Sequence, residues 1–446
     1  MRRFKFHNIL CLILSINMLL GNSINAQDSL SLENVLAITL KQNIQIKIKI
    51  NDLTQVRNNE KAGVINTLPK LRINSSASVN EGNSSLEFAT DDFPTLENAE
   101  SESKSISSNV EFSYNLFNGL GSIYTYQKLK KQSDLKSTEL LLQMEQVLIK
   151  TAKQYYDVAY IQEYHKILKE VLELSRERYN RVKFQNEFGN ASKLDLLSAE
   201  IDLNKDSINA INSKHDLYLA KHQLNQTLNR ELTSDFNVEN KVKINRNLTY
   251  TELNNKVLDN NNNILFQQYL IEISKQDKKI NSVSILPRVN FSAQYGYNKT
   301  ESNTSIILNQ TNLGLTGFIN FSWDIFDGIA KRNIIQNTKI QIESNKLELS
   351  AIKQEIQKEF NSTFQQYSNS INLIEIEQRN QSASEKFFER AKNQFYQGQL
   401  SRNDFRLAQI ELSISKNRLN QTLYTAKIAE LNLYRLSGNI VEKSSE

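Results

Sequence analysis

The chain has 446 residues with only 12 glycines and 3 prolines, far below ordinary globular usage, so long uninterrupted elements are expected. The first 26 residues hold three of the 54 basic side chains and no acidic one, which leaves 51 basic against 49 acidic side chains after them. That balance gives nucleic-acid binding no electrostatic support. Cys11 is the single cysteine, so one chain cannot form a disulfide or a cysteine metal cluster.

In chain order, residues 1–26 read as a secretory signal: Arg2, Arg3 and Lys5, the apolar run "ILCLILSINMLL", then Ala26 before a cut near Gln27. The run is about a dozen residues, short of the roughly 20 that a spanning helix needs. Cys11 lies too early in it to suit lipid attachment. The exported chain is then free of thiols.

A helical stretch follows, "SLENVLAITLKQNIQIKIKINDLTQVRNNEKAGVINTL", and ends where Leu68-Pro69 turns the chain toward extended structure. Two strands are expected at about 70–80 and 108–117. Leu71, Ile73, Ala77 and Val79, then Val110, Phe112, Tyr114 and Leu116, alternate with Arg72, Asn74, Ser76, Ser78 and with Asn109, Glu111, Ser113, Asn115. A long acidic loop joins them. After "FNGLG" come some 65 to 70 residues without proline, with Val147, Thr151, Tyr155 and Val158 at helical spacing. Steps of three and four sum to seven, the period of helices that supercoil left-handed, and such a helix is on the order of 100 Å long. It ends at a turn of about 186–192, where Gly189 suits the left-handed conformation. A second helix returns from about Ser192 to Leu228.

The whole plan then repeats. "FGNASKLDLLSAEIDL" has a counterpart in "QGQLSRNDFRLAQIEL" 209 positions later, which pairs Gly189 with Gly398, Asp195 with Asp404 and Ala199 with Ala408. "FSYNLFNGL" pairs likewise with "FSWDIFDGI", and Leu68-Pro69 with Leu286-Pro287 at an offset of 218. The expected organisation is a first repeat over 27–250 and a second over 251–446. The second has strands at about 288–298 and 313–326, a long helix with Ile356, Phe360, Phe364, Tyr367, Ile371 and Ile374 on one stripe, and a hairpin turn at about 395–401.

Four strands of about ten residues, apolar on one side and rich in Tyr, Phe and Trp near their ends, suit a transmembrane barrel. Four strands cannot close, and an open edge in lipid leaves unpaired backbone groups that cost several kcal/mol each. The barrel must therefore be shared. Two chains give eight strands with a filled interior and three give twelve with a lumen, so a trimer suits a conduit better.

Within each hairpin, Ser192 and Ser401 suit the N-cap position, and Asp195 and Asp404 fall where a capping box and the helix dipole both favour a carboxylate. Capping explains each copy by itself and leaves a pore role open. An enzyme has little support. His165, His215 and His222 are the only histidines after residue 26, and the last two, two helical turns apart, stand too far from each other to share a metal. Asp91 and Asp92 sit in a polar loop with no apolar pocket to shift them. No phosphate-binding glycine loop is present, and no cofactor is expected. An exported coiled coil or adaptor hairpin without a pore shares the heptads but leaves four aromatic strands unexplained.

The "SLENVLAITLKQN" opening, the two Leu-Pro pairs, the two F-[ND]-G strand exits and the two Gly-x5-Asp hairpins together resemble the outer-membrane efflux (TolC) family over nearly the whole chain after the signal. The resemblance implies a mainly helical fold with a transmembrane β portion. It is that of a homotrimer whose 12-stranded barrel sits in the outer membrane and continues as a helical periplasmic tunnel. It also implies passive conduction from an inner-membrane transporter through a periplasmic adaptor (membrane fusion) protein, in efflux or type I secretion. By the same resemblance Gly189, Asn190, Gly398, Gln399 and Leu400 form the adaptor-contacting tips, Asp404 rings the entrance, and Asp195 helps latch neighbouring helices. Leu407 and Leu400 depart from the family's second pore acid and latching arginine, a place Arg402 is expected to fill.

Overall fold

The computed structural model describes residues 29–65, 68–87, 95–305 and 307–443; the expected signal segment with Cys11, and the Asp91–Asp92 pair, lie outside them. The chain divides into two units, one of Leu53–Lys136 and Gln267–Glu348, the other of Met1–Asp52, Ser137–Phe266 and Leu349–Glu446.

The first unit holds one antiparallel sheet in the order β1-β2-β3-β4, formed by Lys70–Leu86, Leu96–Phe117, Arg288–Ser302 and Asn309–Ser322. The register puts the apolar positions of all four strands on one face: Ile73 lies across from Val110, Val110 from Tyr295, and Tyr295 from Leu315. This face is bare in the single chain, with Ile73 73% and Leu315 76% exposed. Several strand ends differ from the sequence expectation, β3 running on to Ser302 and β4 starting at Asn309 among them. The first hairpin is longer, because its Ser- and Asn-rich arms keep pairing as far as Leu86 and Leu96, with Asn83 Nδ2 donating to Asn98 Oδ1 at 2.9 Å. β4 is shorter at its end, stopping at Ser322 instead of near 326. Its partner β3 begins at Arg288, immediately after Pro287, which has no N–H to offer. Trp323, just outside the sheet, donates its Nε1–H to Ile285 O at 3.1 Å.

Both F-[ND]-G exits adopt the same backbone. Gly119 and Leu120 have φ of 64° and 69°, Gly328 and Ile329 of 65° and 70°. A β-branched residue held left-handed is strained, so Ile329 carries a strain at this turn that Leu120 in the first copy carries less.

Outside the sheet the described elements are helices, and the second unit packs the stripes read from the sequence. The long helices α3 (Gly121–Glu187) and α7 (Ala330–Tyr396) have 67 residues each, and the returning helices α4 (Lys193–Thr227) and α8 (Arg402–Leu436) have 35 each. Val147, Thr151, Tyr155 and Val158 are buried, as are Ile356, Phe360, Tyr367 and Ile374. Tyr155 joins Val35, Leu224, Leu228 and Phe236 in one cluster, while Phe360 joins Val257, Leu433 and Leu436 in the equivalent one. Burying such a side chain fully contributes about 1.5–3 kcal/mol.

The stretches before the strands, expected as single helices, are each broken in two. α1 (Leu32–Gln42) and α2 (Ile44–Ile65) meet at Asn43, and α5 (Tyr250–Asn260) and α6 (Asn262–Val283) meet at Asn261. The break has a polar cause. Asn43 Oδ1 accepts from Gln45 N at 3.0 Å and Ile46 N at 3.3 Å, while its Nδ2 donates to Thr227 O at 2.7 Å, at the last residue of α4. Asn261 repeats this with Asn263 N at 3.0 Å, Ile264 N at 3.4 Å and Leu436 O at 2.9 Å. One carboxamide thus caps a new helix and anchors it to the C-terminus of another.

Candidate functional site

The candidate residues converge on two hairpin turns. In the first, Gly189 takes φ of +73°, its N–H donates to Asn186 O at 3.0 Å and Asn190 N–H donates to Gln185 O at 2.7 Å. In the second, Gly398 takes φ of +74°, its N–H donates to Phe395 O at 3.1 Å and Gln399 N–H to Gln394 O at 2.9 Å. Both are Schellman C-caps. A Cβ at either glycine would meet nothing within 4 Å, so the requirement is for the left-handed backbone and not for space.

The returning helices start as the serine spacing predicts. Ser192 Oγ accepts from Asp195 N at 3.1 Å and Asp195 Oδ2 accepts from Ser192 N at 3.1 Å, a full capping box. Ser401 Oγ accepts from Asp404 N at 3.2 Å and donates to Asp404 Oδ2 at 2.6 Å. The carboxylate of Asp404 is exposed and that of Asp195 half-buried. Gly189, Asn190, Gly398 and Gln399 are exposed, and Arg402 is the first residue of α8. Leu400 is different: it is partly buried against Phe388, Phe405 and Ala408, where Phe395 stacks on Phe405 with ring centres 4.6 Å apart. Leu407 is 53% exposed.

Sequence reasoning missed the polar groups above the turns. Arg406 grips Asp206 with both guanidinium nitrogens, at 2.8 and 2.6 Å, and Ser175 also donates to that carboxylate. Asp206 is 2% exposed and the Arg406 side chain 18%, so this largely buried pair joins α3, α4 and α8. Arg178 pairs with Asp202 beside it, and Arg181 lies over the Tyr396 ring at 4.5 Å. The signal was present in the spacing: Asp206 lies seven residues after the buried Ala199 and seven before the buried Ser213, on the packed stripe of α4.

A second missed group is Glu145 on α3. It is buried, accepts from Asn262 Nδ2 at 2.7 Å, and borders a cavity of about 400 Å³ with Gln146, Asn263, Asn432 and Arg435. Burial pushes its carboxyl up to about 7 against the opposing pull of Asn262 and Arg435. The histidines lie apart from these sites. His165 Nδ1 is 2.7 Å from Ser213 Oγ, and the His222 ring lies tilted against that of Tyr218, ring centres 4.0 Å apart. No helix among the described residues is long and apolar enough to cross a membrane.

Residues 252–439, running from α5 to just past α8, match the family model described as outer membrane efflux protein. This stretch is similar to the outer membrane efflux protein domain. The solved channels extend the likeness over the rest of the chain. The CmeC outer membrane channel of Campylobacter jejuni superposes with a TM-score of 0.74 at 15% identity, covering 93% of this chain and 89% of that one. The open state of the MtrE outer membrane channel of Neisseria gonorrhoeae gives 0.69 at 14%, covering 93% and 90%. The outer membrane protein VceC of Vibrio cholerae gives 0.67 at 12%, covering 91% and 96%. At such identities the likeness is one of fold, and it includes the half of the chain that precedes the efflux-protein domain. No curated protein sequence matches significantly.

Proposed function

We propose that the chain is the outer-membrane exit duct of a tripartite efflux or type I secretion system and conducts solutes passively, without catalysis. The observation that carries this reading is the sheet. Among the described residues β1 and β4 each keep one open edge, and the apolar face shows Leu71, Ile73, Tyr295, Leu315 and Phe321 exposed. Open edges and bare apolar rows are stable together only where lipid covers the face and further copies pair the edges. Three copies make a 12-stranded barrel with a polar lumen, continued by a helical tunnel into the periplasm.

The hairpin turns are then the periplasmic tips. Gly189, Asn190, Gly398, Gln399 and Leu400 meet the adaptor, which in turn joins the duct to an inner-membrane transporter. Asp404, exposed near its turn, contributes to an acidic ring from three chains, and Asp195 with Arg402 helps hold the tips closed. Acidic rings favour cations.

Planar-bilayer conductance of the detergent-extracted protein, with its mass by light scattering, tests the reading. The expected result is a cation-selective conductance from a trimer, with the preference reduced in Asp404→Asn. A water-soluble monomer without conductance would sink the duct. An unchanged cation preference in Asp404→Asn would remove only the role of that residue.

A further inference from the structure

The polar face of the sheet changes character along its strands. Near the start of β1 it carries Lys70 and Arg72, with Arg72 directly across from Glu111. From the next row, Asn74–Asn109–Gly296–Gly314, to the row of Asn80 and Ser103, every residue on this face is Asn, Gln, Ser, Thr or Gly. Four successive rows hold no charge and no aromatic ring. At about 3.4 Å per residue they span roughly 20 Å. The charges at this level lie on the opposite face, where Lys104 pairs with Glu102 and Lys299 with Glu301.

These side chains also satisfy one another. Ser76 and Ser107 share a hydrogen bond of 2.8 Å, Asn74 Nδ2 donates to Asn109 Oδ1 at 3.1 Å, and Asn109 Nδ2 donates to Gln294 Oε1 at 3.4 Å. Ser107 lies four residues from Glu111, about 14 Å along the strand. That is beyond the Debye length of about 8 Å at physiological salt; the Glu111 carboxylate itself lies across from Arg72 and accepts from Asn74 Nδ2 at 3.2 Å, at the inner border of the neutral rows.

We infer that this stretch is a charge-indifferent exit collar, through which cationic, anionic and neutral polar solutes pass alike, so that selection by charge is made elsewhere in the duct. The inference rests on the proposed placement of the polar face in the lumen. It sets the substrate class of the outer-membrane portion: solutes of either sign, with no fixed charge or aromatic surface to bind them on the way out.

Ser107 and Ser108 are neighbours on opposite faces, and Ser→Cys is nearly isosteric. In a Cys11→Ser background, S107C and S108C trimers in liposomes are treated with a cationic (trimethylammonium-ethyl) and an anionic (sulfonatoethyl) methanethiosulfonate, and the rates are compared with those of a free thiol. S107C is expected to react with both, with a cation-to-anion rate ratio within about twofold of the free thiol, and S108C is expected to be shielded. An uncompensated charge a few ångström away would separate the two reagents by about tenfold, and a ratio displaced that far overturns the neutral collar while leaving the lumen placement standing. S107C reacting no faster than S108C overturns the placement itself. S105C, on the same face, repeats the measurement if S107C does not assemble.

Discussion

Replacing Glu145 with glutamine gives the most quantitative test of the helical unit. The carboxyl ordinarily titrates at 4.5 and burial lifts it to about 7 in the folded chain. The folded state therefore holds a proton that the unfolded state releases, and stability present in acid is lost as pH rises from 4.5 through 7, levelling above. A difference of about 2.5 units at about 1.36 kcal/mol each costs the folded chain about 3 kcal/mol at pH 8 and under about 1 kcal/mol at pH 5. Glutamine keeps an acceptor for Asn262 Nδ2 and never ionises, so it removes the slope and not the contact. With unfolding entropy of roughly 2 cal/mol/K per residue, a chain of this length loses about 1 °C per kcal/mol. Thermal melts followed by helical circular dichroism in detergent should thus show Glu145→Gln above wild type by about 3 °C at pH 8 and converging with it toward pH 5. Parallel melting temperatures across that range, or a gap that widens in acid, would refute the assignment of a buried protonated carboxyl.

Other substitutions probe the remaining devices. Asp206→Asn leaves the partly buried Arg406 guanidinium without its counter-charge and should cost about 2–3 kcal/mol, whereas the double change Asp206→Leu with Arg406→Met should recover most of it; denaturant melts of both decide. Asn261→Ala removes a helix cap and its anchor to Leu436 O, with an expected loss of about 1–2 kcal/mol, and Asn43→Ala should lose a similar amount by the same assay. Gly398→Ala forces a Cβ into the left-handed region and should cost about 1 kcal/mol with no steric clash to relieve, so a neutral melt would show that the turn relaxes.

Much of the fold was legible because both of its patterns are periodic and each occurs twice. Leu71 to Val79 and Val289 to Tyr297 alternate, and Tyr155 and Phe360 sit on heptad stripes that the folded chain buries. The turns were legible too, since Gly189 and Gly398 followed by Ser192 and Ser401 state a helix stop and a helix start in local chemistry alone. The breaks at Asn43 and Asn261 were not, because each asparagine acts through a carbonyl more than 170 positions away in sequence. Strand ends were misjudged for a related reason: a strand extends only as far as its neighbour supplies partners, as Ser322 opposite Arg288 shows.

Local periodicity, turn chemistry and internal duplication thus determined the strands, the long helices, their order and the positions of the hairpin turns from the sequence by itself. Only the tertiary structure decided which polar groups are withdrawn from water. Glu145 reads as an ordinary surface acid until Asn262 is brought against it, and the spacing that puts Asp206 on the packed stripe of α4 names no partner until Arg406 meets it. Burial is a property of what packs on a residue, and nothing within a few positions of it in the chain specifies that partner.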